Sequence, residues 1–282
     1  MKAAAFDYVR AESLAETLRI LAERGEGARL IAGGQSLAPA LNLRLAAPDL
    51  LVDIGALTQL RYIEPAGEAL RIGALTRHVD IARSEWIARH CPLLTRAIAE
   101  VAHPAIRNRG TLGGSLAQAD PAAELPACMM ALDAVIVATG AGGERRIAAR
   151  DFFLGVYETA LRADEVLTAV EIDGLDAERA YGFAELSRRR GDFAIVGLAL
   201  AARRRAGGLA EMRLVYFGVS DRPTAAPGAA AALARRDIEA ARAALAAELD
   251  PFADAQASSA MRLHLAGVLL ERAFAQALEA AT

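Results

Sequence analysis

Two glycine pairs, Gly33-Gly34 at the end of an apolar run and Gly113-Gly114 further on, are each followed by hydroxyl or amide side chains. Glycine lets the main chain approach a neighbour without a Cβ in the way, and a pyrophosphate needs several backbone amides aimed at it. One such turn is ordinary. Two in one chain call for a fold that carries both to a common, phosphate-containing ligand. Ser36, Thr111 and Ser115 stand beside them as further hydroxyl donors.

The familiar nucleotide and hydrolase signatures are absent. No G-x-G-x-x-G opens a helix, so a Rossmann dinucleotide site has no support, and no G-x-x-x-x-G-K-[ST] supplies a P-loop. No G-x-S-x-G elbow exists, and nothing arranges Ser, His and Asp for acyl transfer.

The elements around the glycine turns read as α+β. Ser13 and Glu16 form a capping box ahead of Leu14, Leu18 and Leu21 at helical spacing, and Gly25 stands where a C-cap belongs. Apolar runs at 28–32 and 50–54 complete a β-α-β-loop-β unit with parallel pairing, ending near residue 55. Leu70 to Gly73 reads as a strand, Val79 to Arg89 as a helix, and Pro92 opens another helix that runs to about His103. The stretch from Arg107 to Ser115 is too rich in glycine and polar groups for regular structure. A helix follows over Glu124 to Leu132, with short strands at 134–139, 145–148 and 166–172. Beyond a boundary near residue 176, three strands (180–187, 194–203 and 212–219) form an antiparallel meander. Alanine-rich helices end the chain, the last starting near Ser259 with Met261, Leu265, Val268, Leu269 and Phe274 on one stripe.

Composition narrows the function. With 282 residues, 54% of them hydrophobic, the chain buries a real core and is not disordered. A formal charge of −3 argues against a nucleic-acid surface. The runs Arg188–Arg190 and Arg203–Arg205 then read as solvated strand ends or subunit contacts. Cys91 and Cys128 are far apart without a CxxC spacing, and His78, His90, His103 and His264 are scattered. The chain therefore has no iron–sulfur or zinc ligand set of its own, and both thiols read as buried small hydrophobes. The opening MKAAAFDYVR lacks a signal-peptide core, and no stretch is apolar enough to span a membrane, which sets the expectation of a cytoplasmic protein.

Three segments carry a resemblance. IAGGQSLAPALNLRLAAPDLLVDIG (31–55), HPAIRNRGTLGGSLAQADPAAELPA (103–127) and SRRRGDFAIVG (187–197) resemble signature segments of the FAD-binding medium subunits of the xanthine dehydrogenase and carbon monoxide dehydrogenase family. The likeness runs nearly end to end. It implies a two-subdomain FAD-binding fold of the PCMH type, related to vanillyl-alcohol oxidase, over 1–176 with subdomains of about 1–55 and 56–176. A C-terminal domain of a three-stranded antiparallel sheet with helices would follow over 177–282.

The resemblance also implies roles. FAD would lie extended between the two subdomains, with Ala32, Gly33, Gly34, Gln35 and Ser36 on one side of its diphosphate and Asn108, Thr111, Gly113, Gly114 and Ser115 on the other. Asp120 and Glu124 fall where the family places a cofactor-binding acid, and Asp192 and Phe193 where it approaches the isoalloxazine ring. Each has a plainer reading. Asp120 ahead of Pro121 suits a turn, Glu124 suits a helix start, and Phe193 suits a core. Arg107 and Arg109 suit phosphate or a structural salt bridge, and Trp86 suits packing. Glu124 stands where relatives often carry Asp, and Gln118 where many carry His. In such complexes a large subunit holds a molybdopterin cofactor and a small subunit two [2Fe–2S] clusters, and the three subunits form a heterotrimer that dimerises. The flavin subunit passes electrons to an external acceptor. The rival readings are a self-sufficient flavoenzyme of the same fold, for which the chain offers no acid/base candidate, and an assembly subunit without FAD.

Overall fold

The computed structural model describes residues 2–206 and 208–279. Three sheets of different construction follow one another along the chain.

The first is parallel. Strands β1 (Asp7–Arg10), β2 (Ala28–Ile31) and β3 (Leu50–Asp53) pair in the order β1-β3-β2. Parallel neighbours need a crossover, which helix α1 (Leu14–Arg24) supplies between β1 and β2. Ser13 Oγ accepts the Glu16 N–H at the start of α1, and the Glu16 carboxylate reaches back to the Glu12 N–H rather than to that of Ser13. Gly25 closes the helix at φ +54°. Ile20 and Leu21 of α1 bury against Val52, Ile54 and Leu57. The link between β2 and β3 is not all loop: it holds the short helix α2 (Leu37–Asn42).

The second sheet is antiparallel, with β4 (Ile63–Ala66), β5 (Ala69–Gly73), β6 (Val135–Gly140), β7 (Gly143–Ala148) and β10 (Val166–Ile172) in the order β4-β5-β10-β6-β7. Between β5 and β6 run α3 (His78–Arg83), α4 (Glu85–His90), α5 (Pro92–Glu100), α6 (Pro104–Arg107), α7 (Leu112–Gln118) and α8 (Glu124–Ala131). After β7 come α9 (Ala149–Phe152) and the hairpin β8 (Phe153–Gly155) with β9 (Glu158–Thr159). The helix expected over 79–89 is two helices, because Ser84 Oγ accepts the Ile87 N–H and caps α4 at that point. The helix from Pro92 stops at Glu100, after which Ala102 takes φ +45°. The segment read as irregular from 107 to 115 in fact starts α7 at Leu112. Thr111 Oγ1 caps it by accepting the Gly114 N–H, and burial of Leu112 and Leu116 outweighs the low helix propensity of two glycines.

The third sheet is the meander β11 (Arg179–Ser187), β12 (Ala194–Arg205) and β13 (Gly208–Phe217), with a two-residue edge strand, β14 (Thr224–Ala225), added outside β13. One face is covered by α10 (Pro227–Ala234), α11 (Ile238–Glu248) and α12 (Ser259–Glu279). The other face contributes Tyr181, Phe183, Ala199 and Phe217 to the same core as Leu94, Ile98 and Met129 of α5 and α8. Strand β12 is buried on both faces, which is why its sequence runs apolar without alternation. The α12 stripe differs from the sequence reading. Met261 is half exposed, and the buried face is Arg262, Ala266, Leu269, Leu270, Ala273, Phe274 and Ala277. Small residues bring the helix close to the sheet, so the buried face is rotated by about one residue. No helix among the described residues is long and apolar enough to cross a membrane.

Candidate functional site

A cleft of about 920 Å³ opens where the parallel sheet meets the second sheet and its helices. That volume suits a cofactor site. Its lining brings together Ala32, Gly33, Gly34, Gln35, Ser36, Thr111, Gly113, Gly114, Ser115, Asp120, Glu124, Asp192 and Phe193. Asn108 is exposed, on the turn after α6, and is not part of the lining.

The two glycine turns touch. A Cβ at Gly33 would sit 2.1 Å from the Arg109 carbonyl oxygen, so only glycine permits this approach. Their chemistry differs. At the first turn, Gln35 Nε2 donates to the Gly33 carbonyl at 2.7 Å, and the Gly34 and Ser36 carbonyls accept the first bonds of α2. The backbone N–H groups of Gly33, Gly34, Gln35 and Ser36 have no protein acceptor among the described residues. Four adjacent donors left open beside a cleft make an anion nest. At the second turn the donors are already used: Leu112 N–H goes to Thr76 O, Gly113 N–H to Ala74 O, Gly114 N–H to Thr111 Oγ1 and Ser115 N–H to Thr111 O. This turn offers hydroxyls instead, since Thr111 Oγ1 accepts within the cap and keeps its own hydrogen to donate.

His78, which no local motif singles out, fixes the second turn. Its N–H donates to Gly110 O at 2.9 Å and its Nε2 lies 3.1 Å from Thr111 O. A carbonyl only accepts, so Nε2 carries the hydrogen. Burial pushes the imidazole down to about 4, with the Arg107 charge acting in the same direction, and the ring is neutral at physiological pH. Arg107 donates to the Val101 and Ala102 carbonyls and so serves neither of the two roles weighed for it. The Arg109 side chain is exposed and is not part of the lining.

At the other end of the cleft, Asp120 Oδ1 accepts the Ala122 N–H at 2.9 Å, which is the turn role, while the same carboxyl also lines the cleft. Its Oδ2 receives a long contact from the Tyr157 hydroxyl, 3.4 Å, and burial raises its pKa. Glu124 is the first residue of α8 and only 9% exposed. Burial, with Asp120 and Glu100 adding to it, pushes its carboxyl up to about 7. Phe193 is 66% exposed, which removes the core reading. Trp86 packs half-buried and stacks on His90 with centroids 4.5 Å apart. Arg188–Arg190 lie exposed in a turn, whereas Arg203 and Arg205 are tied to Asp176, Glu178 and Glu211 at the ends of β11–β13. Both cysteines are free and buried.

Residues 4–172 match the family described as the FAD binding domain in molybdopterin dehydrogenase. The chain belongs to that family. Residues 181–277 match the C-terminal domain of CO dehydrogenase flavoproteins. The chain is similar to the 6-hydroxypseudooxynicotine dehydrogenase complex subunit alpha of Paenarthrobacter nicotinovorans, 39% identical over 100% of this chain and 97% of that one. Among solved structures it resembles the carbon monoxide dehydrogenase of Hydrogenophaga pseudoflava in a form lacking the Mo-pyranopterin moiety. The TM-score is 0.96 at 33% identity, with all of both chains covered. Quinoline 2-oxidoreductase from Pseudomonas putida 86 gives a TM-score of 0.93 at 37% identity, over 100% of this chain and 99% of that one. A chain of this family is the FAD-binding subunit of an oxidoreductase complex. The open amides of Gly33 to Ser36 and the Thr111 hydroxyl fit the diphosphate of that cofactor.

Proposed function

We propose that this chain is the electron-transferring flavin subunit of a heteromeric molybdenum hydroxylase. The observation that carries the reading is the run of four unpaired amides, Gly33 to Ser36, placed against the Thr111 turn in one cleft. These amides would hold the FAD diphosphate, with Thr111 and Ser115 donating hydroxyls from the opposite side. Asp120 and Glu124 would face the cofactor toward its ring end, where exposed Phe193 and its neighbour Asp192 give an aromatic and an acidic edge. Bound FAD supplies a two-electron store that is filled one electron at a time. Its electrons would come from two [2Fe–2S] clusters in a small partner subunit, fed by a molybdopterin-bearing large subunit, and leave to an external acceptor. The chain's lack of a cluster-forming cysteine set fits that division of labour. The assembly is read as a cytoplasmic dimer of heterotrimers. In this reading residues 1–176 form the FAD-binding domain, with subdomains of about 1–55 and 56–176, and 177–282 form the C-terminal domain.

The test is to purify the chain co-expressed with its neighbouring genes, record the visible spectrum, then denature it and identify what is released. Stoichiometric FAD with iron–sulfur and molybdenum partners is the expected result. A colourless chain that also fails to take up added FAD overturns the reading.

A further inference from the structure

Arg107 has no part in the lining of the cleft, yet it stands between two turns that do. It is the last residue of α6, and α6 is tied forward to the Thr111 turn. The Gly110 N–H donates to Ile106 O at 2.7 Å, and His78 holds the Gly110 and Thr111 carbonyls. The Arg107 side chain reaches the other way. Its Nη1 donates to Val101 O at 2.9 Å and to Ala102 O at 2.8 Å. Ala102 is at φ +45°, a left-handed conformation that a residue with a Cβ keeps only where its surroundings hold it. Two charge-assisted bonds, one to the peptide carbonyl on each side of the Ala102 Cα, supply that hold.

The carbonyls so fixed are the seat of a second turn. A Cβ at Gly191 would lie 2.8 Å from the Ala102 carbonyl oxygen and 3.0 Å from both the Ala102 carbonyl carbon and His103 Cε1. Gly191 is also at φ +86°. Main chain rests on main chain here, which glycine alone allows. Gly191, Asp192 and Phe193 then line the cleft as the chain turns from β11 into β12. Among the described residues, this turn has few other ties. The Asp192 N–H and the Ser187 hydroxyl both donate to Arg189 O, which sets the shape of the turn and not its place. The Arg190–Glu100 pair is 4.0 Å long with a largely exposed arginine, and such a pair contributes little. Phe193 is exposed, so no burial anchors it.

We propose that Arg107 is a positioning residue for the Gly191–Phe193 turn: by fixing the carbonyls of Val101 and Ala102 it sets where Asp192 and Phe193 stand at the cleft. It acts through Ala102 and Gly191, not by contact with a ligand. The proposal rests on the FAD reading above, in which Asp192 and Phe193 edge the flavin ring. Through α6 the seat of that turn is continuous with the Thr111 turn on the diphosphate side, so both ends of the cleft share one support. An arginine that only capped the carboxyl end of α5 would move stability and nothing at the turn.

The experiment has two readouts. One is the rate at which trypsin cuts the FAD-loaded full chain at Arg188–Arg190, which follows opening of the turn. The other is the visible circular dichroism of FAD in the intact complex. Arg107→Met removes both bonds and should raise cleavage at 188–190 about tenfold, the worth of roughly one hydrogen bond to a charged group. Cleavage elsewhere and FAD content should not change, whereas the flavin dichroism should. Arg107→Lys keeps a donor but not the fork and should restore only part of each effect. Gly191→Ala pushes the same two turns apart and should reproduce both effects. The double variant should be no worse than either single one, because all act on one contact. Wild-type cleavage and dichroism with only a lower melting temperature overturns the proposal, as does a double variant whose effects add. Faster cleavage with an unchanged flavin spectrum also overturns it, because the turn would then move without the flavin sensing it. If Arg107→Met does not fold, Arg107→Lys is read alone, and cleavage at 188–190 as in the wild type overturns the proposal. A wild-type complex without FAD defeats the cofactor reading instead.

Discussion

A methyl group at position 33 has nowhere to go: the Arg109 carbonyl oxygen lies 2.1 Å from where it would sit, and the Arg109 carbonyl carbon 2.7 Å. Those obstacles are backbone, so relief requires one turn to move off the other. Gly34 presents a different problem. Its φ of +70° is costly for a residue with a Cβ, about 1–2 kcal/mol, but its nearest obstacle is the flexible end of Ile31 at 3.3 Å. Gly33→Ala is therefore expected to cost about 3 kcal/mol, the upper end for overpacking, and to separate the open amides from the Thr111 hydroxyl. Gly34→Ala should cost less and leave the turns in contact. Denaturant unfolding of the apo chain and the affinity for added FAD measure the two effects. Equal losses for both variants would show that backbone conformation, not the contact between turns, sets the requirement.

At the scale of elements, α7 is the instructive case. The sequence RNRGTLGGS reads as a loop because two glycines and a threonine disfavour a helix interior. The helix forms because Thr111 caps it and because Leu112 and Leu116 bury against α8 and β10. Helices and strands with regular periodicity were legible, among them α1, α8, β10 and the β11–β13 meander. What escaped were features set by single contacts: the Ser84 cap that divides α3 from α4, the two-residue β14, and the rotation of α12. The site followed the same rule. The glycine turns were visible as motifs, whereas His78 and Tyr157 join through bonds spanning 33 and 37 residues and leave no local pattern. The cap gives a prediction at this scale. Thr111→Ala should destabilise the chain by about 1 kcal/mol and also weaken FAD binding, because the lost hydroxyl lines the cleft. Thr111→Ser should restore both. Recovery of stability without recovery of FAD affinity would mean that the hydroxyl serves the helix alone.

For the whole molecule the question is what holds the third sheet to the Asp120 end of the cleft, since the core shared with α5 and α8 fixes the sheet but not its loops. Arg262, on α12 and 1% exposed, answers it. Its Nη1 donates to the carbonyls of Ile195 and Gly218, its Nη2 pairs with Asp254 at 2.6 Å, and its guanidinium lies over the Phe252 ring at 4.3 Å. Ile195 stands two residues after Phe193, and the Gly218 N–H donates to Pro121 O, beside Asp120. One arginine thus ties together the strand that follows Phe193 and the turn that carries Asp120. Arg262→Met fills much of the same volume but strands two buried carbonyls, at about 1–3 kcal/mol each, while Asp254 keeps the Gln256 and Ala257 N–H groups. At roughly 2–4 °C per kcal/mol for a chain somewhat smaller than this one, the melting temperature should fall on the order of 10 °C. Arg262→Lys keeps the charge but not the fork, so it should recover only part of the loss. Differential scanning fluorimetry reads the stability, and the visible circular dichroism of bound FAD reads the positions of Phe193 and Asp120. A lower melting temperature with an unchanged flavin spectrum would confine Arg262 to stability. A melting temperature within about 2 °C of wild type would mean that the shared core alone holds both loops in place.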